Sequence, residues 1–178
     1  LAASMQAELR GLFVEDIDLL RLADLSVARE VVYPSGSSAR ISPDRMERQL
    51  RAQASQARQA LTTACRGRRV RWSLDIVRGN VRAEVIKVSH EADLLVLGKV
   101  SRPLVRQVSI GSTARAAIHD SPSSILLTHR GQRIHSPVVA MFHDSPCGQR
   151  TLAMAIHLAQ RTGGRLTVLL PNEAAGQT

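Results

Sequence analysis

Aromatic residues are almost absent. They make up 2% of the 178 residues, so any core must be built from aliphatic side chains and alanine. Lysine is scarcer still: of 24 basic residues only Lys87 and Lys99 are lysines. So strong a bias to arginine fits a GC-rich coding sequence better than selection for a polyanion, and no basic stripe interleaved with aromatics is present. Nucleic acid is therefore not expected as a partner, despite a formal net charge of +9. The chain has no apolar run of the roughly 18 residues that mark a membrane helix and no signal peptide, so no membrane partner is expected either. Cysteine is limited to Cys65 and Cys147, too far apart in sequence to suggest a disulfide framework or a metal knuckle. A reduced, cytoplasmic location is the expectation.

Catalytic signatures are missing too. There is no Gly-x-Ser-x-Gly elbow, no Cys-x-x-Cys pair and no His-Glu-x-x-His, and Gly98-Lys99-Val100 lacks the Walker ending. His143 and Cys147 flank Asp144, but a helix-entry histidine and a half-buried thiol account for them without a metal. Neither a catalytic residue nor a metal site is predicted. Weak ATP hydrolysis is the one activity left open.

What is present is an alternation of strands and helices. With 44% apolar residues, the chain can fill one domain but not two of average size. The tail of a helix leads into a strand over 8–14 that ends at Glu15-Asp16. Residues 17–43 read as polar loop, with one or two helical turns around Leu19, Leu20, Leu22 and Leu25. Ser42-Pro43-Asp44 is a helix start, and Met46, Leu50, Ala54, Ala57, Leu61 and Cys65 recur at helical spacing behind it. Its outer face carries Arg45, Arg48, Arg51 and Arg58, a charge run read as solvated. Val70, Trp72, Leu74 and Ile76 alternate with polar residues as in an edge strand. Gly79-Asn80 then opens a helix with Val81, Val85 and Val88 inward.

The stretch 92–129 organises the rest. Leu94, Leu95, Val96 and Leu97 form an apolar run that suits a strand buried on both faces, closed by Gly98. A loop of twelve residues bearing Lys99, Arg102 and Arg106, and no acid, leads to Gly111-Ser112-Thr113. With Ala114, Ala117 and Ile118 as one helical face, those three residues sit at a helix N-terminus, where free amides and hydroxyls can hold an anion. The competing reading is an ordinary crossover capped by Ser112.

Gly98-x2-Ser101-x9-Gly111-Ser112 resembles the nucleotide-binding pattern of the universal stress protein family, Gly-x2-Gly-x9-Gly-Ser/Thr, with Ser101 in place of the second glycine. Residues 92–98, and 121–129 with their Ser121-Pro122 opening, resemble that family's fourth and fifth strands. The resemblance implies an α/β fold: a doubly wound, Rossmann-like parallel sheet of the adenine nucleotide hydrolase type, with strand order 3-2-1-4-5. It further implies a stress-response regulatory module that is not an enzyme. ATP or another adenine nucleotide, with magnesium able to accompany it, would be held by Gly98, Lys99, Ser101, Arg102, Gly111, Ser112 and Thr113. Val14 would lie against adenine. The alternative is a nucleotide-free interaction module of the same family. In either case the resemblance implies a homodimer formed along the edge strand 124–129.

The end of the chain repeats its beginning. Leu158-Ala159, Leu166 and Leu169 align with Leu1-Ala2, Leu9 and Leu12 at one constant offset. Residues 138–170 resemble the opening strand-helix-strand of the same family, including its Asp144-Ser145-Pro146 turn. The expected organisation is tandem: a first domain over 1–130 lacking its first strand and most of its first helix, a linker over 131–136, the start of a second domain over 137–171, and a disordered tail over 172–178. A chain opening on leucine suggests an internal or misassigned start. The missing strand belongs at the sheet centre, and residues 138–142 are a candidate to fill that slot. That would set Asp144 where the family has its ribose-contacting aspartate.

Overall fold

In the computed structural model, which describes residues 2–25, 27–32, 35–98, 110–128 and 137–170, strands and helices alternate as the apolar pattern predicts. The chain divides into two units, Leu1–His129 and Arg130–Thr178.

The first unit opens with one turn of helix, α1 (Ala2–Met5), and then β1 (Leu9–Asp16). Asp16 ends the strand and caps α2 (Ile17–Asp24), its carboxylate accepting from the amide of Asp18 at 3.0 Å. The region expected to be loop also contains an antiparallel hairpin, β2 (Arg29–Val32) and β3 (Ser37–Arg40). It turns through Gly36 at φ 67°, a conformation that glycine adopts without strain. Helix α3 (Pro43–Cys65) follows, starting at proline as expected, although the Ser42 hydroxyl makes no capping bond. Leu50, Ala54 and Cys65 are its buried residues.

β4 (Trp72–Gly79) pairs with β1 in parallel, from Leu9 opposite Trp72 to Asp16 opposite Gly79. Successive β1 residues face opposite ways. A Cβ on Gly11 would come within 2.7 Å of Leu61 on α3. Arg10, on the other face, reaches Asp75 at 2.5 Å and Glu91, just beyond α4 (Val81–Ser89), at 2.6 Å. The pair of strands is thus held between α3 and α4.

β5 (Leu94–Gly98) pairs with β6 (Ser124–Thr128), again in parallel, and α5 (Ser112–Asp120) lies between them in sequence and packs on α4. Ala114, Ala116 and Ala117 are buried, the last completely. Two expectations fail here. Val96 is 49% exposed, so β5 is not buried on both faces: an apolar run specifies what a strand can bury, not what covers it. Ile118, assigned to the inner face of α5, is 50% exposed, and Ala116 takes that place.

In the second unit, β7 (Val138–Met141) and β8 (Leu166–Leu169) pair in parallel around α6 (Pro146–Thr162). Ser145 caps α6 by accepting from the Gly148 amide at 3.0 Å, and Gly163 ends it in the left-handed region at φ 109°. Gly148 is required, because a Cβ there would collide with the His143 carbonyl oxygen. Ala155 and Ala159 form the inner stripe of α6, whereas Ile156, expected to face inward, is 43% exposed. Among the described residues the ladder partner of β7 is β8. The linker over 131–136 and the tail over 172–178 lie outside the described residues.

Candidate phosphate site at the start of α5

Three helices in the first unit begin beyond the carboxyl ends of strands paired in parallel, and their first amides are treated differently. At α2 the Asp16 carboxylate takes the Asp18 amide. At α4 the Asn80 side chain accepts from both Arg82 and Ala83, at 3.1 and 3.2 Å, and its own amide donates to Asp18 at 3.1 Å. A Cβ on Gly79, the last residue of β4, would meet the Glu84 carboxylate at 2.9 Å, so that corner is already filled. Both helix starts are satisfied within the protein.

The start of α5 is not. Its N-cap is Gly111, with φ −59° and ψ 154°, which has no side chain to offer and makes no side-chain capping bond. The Gly111 carbonyl accepts from Arg115 at 2.9 Å and so begins the helix, with no acid in the first turn. Ser112, predicted as cap in the competing reading, is instead the first helical residue, exposed; Thr113 is half-buried. The buried Ala114 and Ala117 hold the helix in place. The other end of this crossing, Gly98, is exposed, and a Cβ on it would meet nothing within 4 Å. Among the described residues no side chain takes the first amides of α5, and these stand with the Ser112 and Thr113 hydroxyls at a helix N-terminus, where the dipole favours negative charge.

Of the other predicted site residues, Val14 is half-buried on β1 opposite Val77. Asp144 is exposed in the turn before α6 and belongs to the second unit. Lys99, Ser101 and Arg102, with Arg106, lie outside the described residues. Among the described residues no group of three or more His, Cys, Asp or Glu side chains is placed to hold a metal.

Sequence reasoning missed the polar groups that close the neighbouring corner. Arg78, at the end of β4, bridges Glu15 at 2.9 Å and Glu47 of α3 at 3.3 Å, and Glu47 also holds Arg51 at 2.8 Å. The hydrogen bond to Glu15 raises the Arg78 pKa above its ordinary value, and those to Asp75 and then Glu91 do the same for Arg10. The only sequence signal for these pairings was opposite charge on adjacent strands. A cavity of about 360 Å³ lies beside Arg10, Asp75 and Glu91, and an open groove of about 620 Å³ borders Ile86, His90 and Ala116; neither is lined by Gly98 or Gly111.

Residues 17–129 match the universal stress protein family. Among solved structures, the chain is similar to the hypothetical protein MJ0577, a structural-genomics test case for assigning biochemical function from structure. The two are 15% identical over 71% of this chain and 78% of that one, with a TM-score of 0.52. Universal stress protein UspA from Lactobacillus plantarum is 19% identical over 70% of this chain and 80% of that one, with a TM-score of 0.48. At 15% identity the likeness to the first concerns the fold alone. No curated protein matches the chain.

Proposed function

Since the chain belongs to the universal stress protein family, with the α/β fold of parallel strands and helices that the family has, we propose that it is a regulatory module that binds an adenine nucleotide, ATP by preference, at the start of α5. The supporting observation is the open N-terminus: among the described residues no side chain caps the first amides of α5, and a Cβ on Gly98 would meet nothing within 4 Å. Phosphates would take the amides and hydroxyls of Ser112 and Thr113, with Lys99, Ser101 and Arg102 from the loop; Val14 would contact the base. Strand order in the first domain would be β4-β1-x-β5-β6, with x a central strand, which accords with β1 and β5 each pairing on one side only among the described residues. The second unit would be the start of a second domain.

Magnitudes bound the proposal. One charge at a helix N-terminus gains about 0.3–1 kcal/mol, whereas micromolar binding needs about 8 kcal/mol. The helix start orients phosphates, and base and ribose contacts must supply most of the affinity. The role proposed is a sensor and not a catalyst. A second reading, dimerisation along β6, draws on the strand's one-sided pairing.

Titration calorimetry with ATP on the full chain and on Gly111→Asp tests the reading. A carboxylate at residue 111 would cap the helix and repel phosphate, so binding by the parent and at least a tenfold loss in the variant are expected. No heat with either protein, or equal affinity in both, would reject it. Phosphate release during titration would favour an enzyme.

A further inference from the structure

Between Glu47 and Asp75 the chain has no acidic residue and seven arginines: Arg48, Arg51, Arg58, Arg66, Arg68, Arg69 and Arg71. All seven are exposed. Elsewhere in the first unit three arginines are matched among the described residues: Arg10 holds Asp75 and Glu91, Arg21 holds Asp18, and Arg78 holds Glu15 and Glu47. Within the run only Arg51 has an ion pair among the described residues, to Glu47. Composition alone assigns such a run to a solvated face. The structure adds a geometry and an imbalance. On α3, Arg48, Arg51, Arg58 and the C-cap Arg66 recur at steps of three, seven and eight residues, along one flank of the stripe that buries Leu50 and Ala54. The turn that follows, with Gly67 at φ 70°, carries the exposed Arg68, Arg69 and Arg71. The dipole at the end of α3 accounts for one or two cations there, but not for Arg48 or Arg58 farther back along the helix.

We propose that this face of α3 and its arginine turn dock the phosphodiester backbone of a nucleic-acid duplex, without reading its sequence. The 23 residues of α3 span about 34 Å, close to one duplex turn. Ser55 and Gln59, between the arginines on this face, are of the kind that bond phosphate oxygens. The same polar filling argues against a membrane surface, since a helix lying in lipid needs large apolar residues beside its cations. The stripe contains no aromatic residue on which unpaired bases could stack, which favours a duplex over a single strand. The partner is thus selected by length and by charge at regular spacing.

Fluorescence anisotropy with a labelled duplex of mixed sequence, titrated with the full chain at salt from about 50 to 200 mM, tests this. Binding in the range of about 10⁻⁶–10⁻⁴ M is expected, falling steeply with salt. Combined Arg66→Gln, Arg68→Gln and Arg69→Gln should make the log-log slope shallower by about 2 to 3, at about 0.9 for each phosphate no longer neutralised. Arg21→Gln, off the stripe, should leave it unchanged, and circular dichroism checks that the variants fold. No binding at the lowest salt, an unchanged slope in the triple variant, tighter binding of single strands, or displacement by polyglutamate at equal charge would each overturn the proposal.

Discussion

Two strand-to-helix crossings of the first unit, β4–α4 and β5–α5, use the same materials to opposite ends. Each has a glycine closing a parallel strand and a small polar residue near the helix start. At β4–α4 the corner is closed: Asn80 takes two amides, Asp18 holds Asn80, and Glu84 fills the space at Gly79. At β5–α5 it is open among the described residues: the cap is a glycine, the first turn has no acid, and a Cβ on Gly98 would meet nothing within 4 Å. A helix N-terminus satisfied within the chain stabilises the fold, and one left unsatisfied is available to a ligand. What distinguishes them is one side chain at the cap and one carboxylate in the first turn.

The largest effect should come from opening the closed corner. Asn80→Ala removes both capping bonds and the link to Asp18, and should lower the free energy of unfolding by about 1–2 kcal/mol in urea denaturation. It should not create a second phosphate site, because Glu84 still faces the corner. Unchanged ATP affinity checks that part, and a second equivalent of bound nucleotide would break the comparison.

The reverse change closes the open corner. Gly111→Asn copies the α4 cap onto α5, and should raise stability by only about a few tenths of a kcal/mol, since glycine is itself a fair cap. The change in thermal midpoint should therefore be small while ATP affinity falls. If stability rises and affinity is unaltered, the start of α5 is not where nucleotide binds.

How much of this could be read in advance depends on whether a feature is local. The alternation of elements, the proline start of α3, the Gly163 stop and the family pattern around Gly98 and Gly111 are all written in short windows. The β2–β3 hairpin was missed because residues 29–40 have little apolar alternation and their pairing depends on the turn at Gly36. Ser112 and Gly111 could not be ranked as caps from sequence, because either residue type suits the position and backbone dihedrals decide. Val96 and Ile118 were placed inside by pattern, but exposure depends on which elements cover them. The arginines divide similarly: sequence counted them, and only the fold separates the matched Arg10 and Arg78 from the acid-free run over 48–71.

The smallest expected effect concerns how the two strand pairs are held. Ion pairs link β1 and β4 to each other and to their surroundings, through Arg10 and Arg78, whereas β5 and β6 carry no charged side chain. Because hydrogen bonds to carboxylates raise the Arg10 pKa, its contribution is complete below the ordinary arginine value and is lost only as pH rises beyond it. Near neutrality, then, salt and not guanidinium titration should control the pair. Arg10 is half exposed, and such pairs are weak and screened. Arg10→Gln should therefore speed amide exchange slightly in β1 and β4 at low salt, leave β5 and β6 unchanged, and become indistinguishable from the parent at about 1 M salt, where screening acts within about 3 Å. A difference that survives high salt would mean that Arg10 acts through its aliphatic stem against the sheet, and a difference that spreads to β5 and β6 would mean that the two strand pairs unfold as one.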